Sequence, residues 1–201
     1  MESDGAYIDR ELELFQIPHV RRSAKALSAT GAGNFFSQAK ECVAEGFSFS
    51  SVKKLLLNTE LPWKDGESIR QLISFGKANN CICSFSYDGK NIDVWNESLR
   101  RNSSEKRAED FYVSLHEKLT RLTGAQTFSE IRERYFDFRE TFFDMENCPE
   151  KSDRIISRCI SELSVLIDLE QEFPDCRAPD CFSFFTKYLD GKAYLAQTEE
   201  R

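Results

Sequence analysis

Residues Phe128, Ile131, Tyr135, Phe138, Phe142 and Met145 follow one another at steps of 3, 4, 3, 4 and 3. Only an α-helix returns to one face at that spacing, and a face this aromatic must be covered. Thr127-Phe128-Ser129-Glu130 reads as a capping box, in which the hydroxyl and the carboxylate satisfy N–H groups that a first helical turn leaves open. Glu130 precedes Arg134 in the favourable i, i+4 order. Phe136 and Phe143 stand off the seam as a flanking row. A helix with more than one apolar stripe is either central in a bundle or turns the extra stripe to a partner.

The neighbouring segments are helical by the same criterion. Asn102-Ser103-Ser104 can start a helix with Ala108, Phe111, Tyr112, Leu115, Leu119 and Leu122 on one face, ending near Gly124. Pro149 opens another, where Ile155, Ile156, Cys159, Ile160, Leu163, Leu166 and Ile167 form a wide apolar face up to Phe173-Pro174. A last segment carries Phe182, Phe185, Tyr188 and Leu189 and stops at Gly191. Short links between such helices predict a small antiparallel bundle over 104–192, with a frayed tail over 193–201.

Residues 34–99 have a different order. Asn34 is placed to cap a helix bearing Phe35, Phe36, Ala39, Cys42 and Val43, ended by Gly46. Ser50 or Ser51 opens a second with Val52, Leu55 and Leu56 inward, and Pro62 breaks the chain. A third runs from about Gly66 with Ile69, Leu72, Ile73 and Gly76 toward the core. The period then falls to two. Cys81 to Tyr87, Asp88-Gly89 and Lys90 to Trp95 read as a β-hairpin on a tight Asp-Gly turn. A two-residue loop sets Phe85 opposite Ile92 and Cys83 opposite Val94, giving one apolar face and one polar face. Three short helices followed by a hairpin resemble a winged-helix module. The resemblance implies either DNA reading by the third helix and the wing, or a scaffold for protein interaction. Before this module, residues 1–33 read as a flexible N-terminal segment, with a short amphipathic stretch at Ile8, Leu12 and Phe15 and a joint at Ala29-Thr30-Gly31-Ala32-Gly33.

Charge weighs the two implications. The net charge is −7. Residues 1–100 hold 12 basic against 13 acidic side chains, and residues 101–201 hold 15 against 21. The acidic excess favours a basic protein partner over a phosphate backbone, whose binding needs a basic footprint. A nucleic-acid role would rest on the arm Arg21-Arg22 with Lys64, Arg70 and Lys77, interspersed with Asp65 and Glu67. The seven cysteines are odd in number, and Glu2, Asp4, Asp9, Glu11 and Glu13 stand where a secretory signal would need an apolar block. Reduced thiols and an intracellular location, cytoplasmic or nuclear, are the expectation. No apolar run is long enough for a membrane span.

Catalytic patterns are missing from the sequence. There is no phosphate-binding glycine loop, no Gly-x-Ser-x-Gly elbow and no His-Glu-x-x-His. Cys176-x4-Cys181 has no second pair to complete a zinc site, so neither metal nor cofactor is expected. His116 lies on the flank of its helix, and a Cys nucleophile would need one thiol with a depressed pKa. Arg100-Arg101-Asn102-Ser103 has the spacing of a basophilic kinase site at Ser103. The expectation is thus a non-enzymatic adaptor or regulatory subunit, with Tyr135, Phe136, Phe142, Phe143, Trp63 and Trp95 as the docking rings. On that reading Phe136→Asp with Phe143→Asp abolishes partner binding and leaves the fold intact.

Overall fold

Caps and breakers cut the chain into short amphipathic helices, and the core is built from their apolar faces. The computed structural model describes residues 11–12, 14–17, 22–102, 106–174 and 178–197, with eight α-helices among them. In chain order they are α1 (Phe35–Ala44), α2 (Phe49–Leu56), α3 (Gly66–Ala78), α4 (Val94–Arg101), α5 (Lys106–Thr123), α6 (Phe128–Phe142), α7 (Glu150–Glu172) and α8 (Cys181–Asp190). Strand β1 (Arg22–Ala26) precedes them, the hairpin β2 (Phe85–Tyr87) and β3 (Lys90–Ile92) separates α3 from α4, and β4 (Ala193–Gln197) follows α8.

The helix starts follow side-chain chemistry. Ser48 caps α2, Asp65 caps α3, Asp93 caps α4, Thr127 caps α6 and Asp180 caps α8, each accepting a backbone N–H of the first turn. The capping box at α6 is shifted by one residue. Glu130 N donates to Thr127 Oγ1 at 3.1 Å, and the Glu130 carboxylate takes the N–H of Gln126 at 2.9 Å. Asn34 makes no side-chain cap, and the second helix is opened by Ser48 rather than by Ser50 or Ser51. At the end of α1, Gly46 N donates to Val43 O and Phe47 N to Cys42 O, a Schellman stop that requires the positive φ of Gly46.

Helix α5 lies at the centre, against α1, α3, α4 and α6. Helix α7 packs on α6, and α8 packs on α1, α6 and α7. One continuous core runs from Leu27 to Leu189 and crosses the boundary expected between 34–99 and 104–192. Residues 62–64 tie the two sequence halves by backbone. Trp63 pairs with Phe143 in an isolated antiparallel bridge, Lys64 N donates to Phe142 O at 2.8 Å, and Asp144 N donates to Pro62 O at 2.7 Å.

Two expectations need correction. The segment before residue 34 and the tail after 192 pair with each other: β1 runs antiparallel to β4, from Arg22 opposite Gln197 to Ala26 opposite Ala193. Leu27 extends the ribbon by donating to Lys192 O and is fully buried. The stretch 29–33 is not a loose joint. Ala32 and Gly33 are buried, and a Cβ on Gly33 would come within 2.1 Å of the Leu27 carbonyl oxygen. Glycine is there because the backbone passes too close for anything larger.

The hairpin keeps its predicted register, Phe85 opposite Ile92 and Ser86 opposite Asn91, but ends sooner. Asp93 turns the chain into α4, so Cys83 has no Val94 across from it and Trp95 is helical. The hairpin does not project freely. Its foot is tied to the α1–α2 connection, with Ser84 N donating to Gly46 O at 2.9 Å and Phe49 N to Ile82 O at 2.8 Å.

Helix α3 supplies a pH-dependent element of the fold. The Asp65 carboxyl is held down at about 2, mainly by the Ser68 hydroxyl and backbone N–H and further by Arg107, whose guanidinium donates to both of its oxygens. A carboxyl lowered in the folded state stabilises the fold above its unfolded pKa, and that contribution is lost as pH falls from about 4 toward 2. Because Asp65 remains 36% exposed, solvent screening limits this part to about 1 kcal/mol. In urea unfolding at pH 5 and pH 2.5, Asp65→Asn should lose about that much less stability than the parent chain. Equal losses in the two proteins would show that the carboxyl contributes nothing to acid sensitivity.

Candidate functional site

Five of the six rings expected to dock a partner are occupied inside the fold. Tyr135, Phe142 and Phe143 are buried, Trp95 is fully buried, and Trp63 is half-buried against Phe138, Phe142 and Phe143. Phe35 joins the cluster, with Phe138 at 5.1 Å and Phe143 at 5.6 Å. Phe143 fails as a surface residue for a simple reason. Helix α6 ends at Phe142, Phe143 is extended, and helical spacing no longer decides where its ring points. Of the six only Phe136 is exposed, at 37%, with the Arg139 guanidinium 4.6 Å above its ring.

The exposed apolar surface lies elsewhere. Helix α7 turns Ile155, Ile156, Cys159, Leu163, Leu166 and Ile167 into the core. The same helix leaves Val165 and Leu169 outside, and Phe173 at its C-terminal cap is 52% exposed. Val165 and Leu169 stand at i and i+4 on one face of α7, and Phe173 is the residue that ends the helix. Phe184 on α8 is also exposed, 5.8 Å from Phe128 at the start of α6. Asp168 and Glu172 flank these residues in solvent. The i, i+4 spacing was present in the sequence but was hidden by the breadth of the apolar pattern around it.

A second concave surface forms where the hairpin foot, the end of α1 and helix α5 meet. The groove has a volume of about 650 Å³. Phe47, Phe85, Ile92 and Val113 supply apolar wall, and Asp93, Asn96, Tyr112, His116 and Glu117 supply polar groups. Asp93 Oδ1 accepts from the backbone N–H of Trp95 and Asn96 and from the Tyr112 hydroxyl at 2.9 Å. Its other oxygen faces His116 Nε2 at 4.0 Å. Burial and the neighbouring Asp93 carboxylate push the Tyr112 hydroxyl well above the usual tyrosine range. The His116 ring lies against Phe47 at 4.2 Å, and Asn96 Oδ1 is buried without a hydrogen-bond partner.

Of the basic residues proposed for nucleic acid, Lys64, Arg70 and Lys77 are described. Lys64 donates to the Glu140 carbonyl at the end of α6, Arg70 pairs with Glu67 at 2.5 Å, and Lys77 is exposed in the last turn of α3. Arg21 and Ser103, and the side chain of Arg22, lie outside the described residues. Burial pushes the Cys42 and Cys159 thiols up to about 12 and raises Cys81 and Cys148. Among the described residues no three His, Cys, Asp or Glu side chains are grouped to hold a metal ion, and no helix is long and apolar enough to cross a membrane.

Comparison with known proteins agrees with a helical unit. The chain is 26% identical over 221 residues to an uncharacterized protein of Treponema pallidum (strain Nichols), which covers 97% of this chain. The chain spans 28% of the length of that relative. No solved structure matches it significantly. The family profile described as the Treponema TP0900 fourth helical domain matches residues 28–195, from just after β1 to the middle of β4, and the chain belongs to that helical-domain family.

Proposed function

We propose that the chain is a non-enzymatic adaptor or regulatory subunit that docks a helical protein on the α7–α8 apolar surface. The observation that carries this reading is the line of Val165, Leu169 and Phe173 at the C-terminal end of α7, left outside the core. Phe184 adds an exposed ring on α8. Apolar side chains aligned on one helix face take up the apolar face of another helix, and Asp168 and Glu172 select a basic rim on it. The family description numbers this unit as the fourth helical domain of the protein it is named for, which makes a helical neighbour the natural class of partner. Lys64 and Arg70, by contrast, are spent on internal partners, which weighs against the nucleic-acid alternative.

The test is Leu169→Asp combined with Phe173→Asp. Both sites are exposed, so the melting midpoint should move little. A carboxylate pair placed in an apolar contact should weaken a reconstituted complex roughly 30-fold or more. Proteins co-purifying from native cells with the parent chain and lost with the variant are to be purified and titrated back. A partner that binds parent and variant with the same Kd, or no partner at all, overturns the docking face.

A further inference from the structure

We propose that the groove between the end of α1, the β2–β3 hairpin and α5 binds the guanidinium of an arginine side chain presented by a protein partner. The groove shares no residue with the α7–α8 surface, and the two assignments stand or fall separately.

Three features of the lining select a cation on an apolar stem. Its formal charges are Asp93 and Glu117, and no lysine or arginine lines it. Two acceptors within it lack donors at bonding distance. Asn96 Oδ1 is buried with no partner, and Asp93 Oδ2 is 4.0 Å from His116 Nε2. A buried acceptor without a donor is costly and is satisfied when a donor arrives. The walls are apolar and aromatic, from Phe47, Phe85 and Val113, and suit the methylenes of a long side chain rather than a hydrated ion. Phe85 and Val113 are exposed at the rim, where they cost nothing to cover.

Arginine fits this set better than lysine. A planar guanidinium offers donors in two directions at once, here to Asp93 Oδ2 and Asn96 Oδ1, and its face stacks on an aromatic ring such as Phe85. The fixed parts are already in place. Asp93 is held on its other oxygen by the Trp95 and Asn96 N–H groups, the Tyr112 hydroxyl and, at 3.5 Å, the Ser84 hydroxyl, and the hairpin foot is fastened to Gly46 by backbone. Little needs to be ordered on binding, which is what a shallow site requires to hold a single side chain.

The probe is N-acetyl-arginine N-methylamide, titrated into the full chain and followed by backbone amide shifts in two-dimensional NMR. The matched citrulline compound, which has the same shape without the charge, is the control. Arginine should shift Ser84, Phe85, Asn96, Val113 and His116 and saturate with a Kd in the range of about 1–10 mM. Citrulline should not saturate. Asp93→Asn keeps an acceptor for the α4 cap and removes the charge, and it should weaken binding about tenfold. Val113→Arg is independent of the cap and fills the groove with the chain's own guanidinium, so it should abolish the shifts. Equal shifts from citrulline, unchanged binding in Val113→Arg, or no shift from arginine at about 20 mM would each overturn the assignment.

Discussion

A chain carrying Phe143→Asp will lose its cooperative fold. Phe143 is 2% exposed and lies against the rings of Trp63 at 5.1 Å, Phe138 at 5.5 Å and Phe35 at 5.6 Å. Deleting a core Phe costs about 3–5 kcal/mol, and an unpaired buried carboxylate adds several more. The total approaches the whole stability of an ordinary domain, about 5–15 kcal/mol. Phe143 also stands at the backbone bridge to Trp63 that joins the α2–α3 connection to the end of α6. Phe136→Asp, seven residues earlier, should stay folded and cost about 1 kcal/mol at most, because its ring is at the surface. Circular dichroism melts of the two single variants decide the matter. A folded Phe143→Asp protein with a normal melting midpoint would restore that ring to the surface and return it to the candidate docking residues.

The second large effect belongs to the pair Gly76 and Trp95. Trp95 is 0% exposed, stacks on Tyr112 at 5.4 Å and donates from its indole nitrogen to the Phe47 carbonyl at 2.8 Å. It lies directly over α3 at Gly76, where an added Cβ would come within 2.2 Å of the indole. Trp95→Ala should cost about 3–5 kcal/mol, from the cavity and from the stranded Phe47 carbonyl. That corresponds to a fall of roughly 10 °C in melting midpoint for a domain of this size. Gly76→Val should be similarly damaging for the opposite reason, overpacking. The two are coupled, so Gly76→Ala with Trp95→Phe should be more stable than the sum of the single changes predicts. Strict additivity in a denaturant double-mutant cycle would show that the glycine is not there to admit the indole.

How much of this was readable beforehand depended on how local the signal was. The α6 seam, the α7 and α8 faces, the Gly46 stop and the Phe85–Ile92 register all come from spacing within one segment, and the structure has them. The caps at Asp65, Asp93 and Asp180 are equally local in chemistry. The pairing of residues 22–26 with 193–197 is not local. Nothing in either stretch points to a partner about 170 positions away, and so two paired strands read as a loose start and a frayed end. The fate of the aromatic rings was misread for a related reason. The flanking row of Phe136 and Phe143 suggested a spare apolar stripe on α6. In fact α1 and the Trp63 connection cover that helix, and the uncovered surface is the quieter Val165-Leu169-Phe173 line. The groove at Asp93 draws on α1, the hairpin, α4 and α5, and no segment by itself announces it.

The β1–β4 ribbon also decides how the unit carries load. Its outermost rung, Arg22 with Gln197, is the one at which a tether on either side would pull. Tension applied at that rung would therefore reach the hydrogen bonds one after another, like opening a zip, rather than shearing them all together. Such a clasp yields at low force and pays out a few residues of slack while the helices behind it stay shut. A string of units closed in this way would be extensible at its joints and stiff in its bodies.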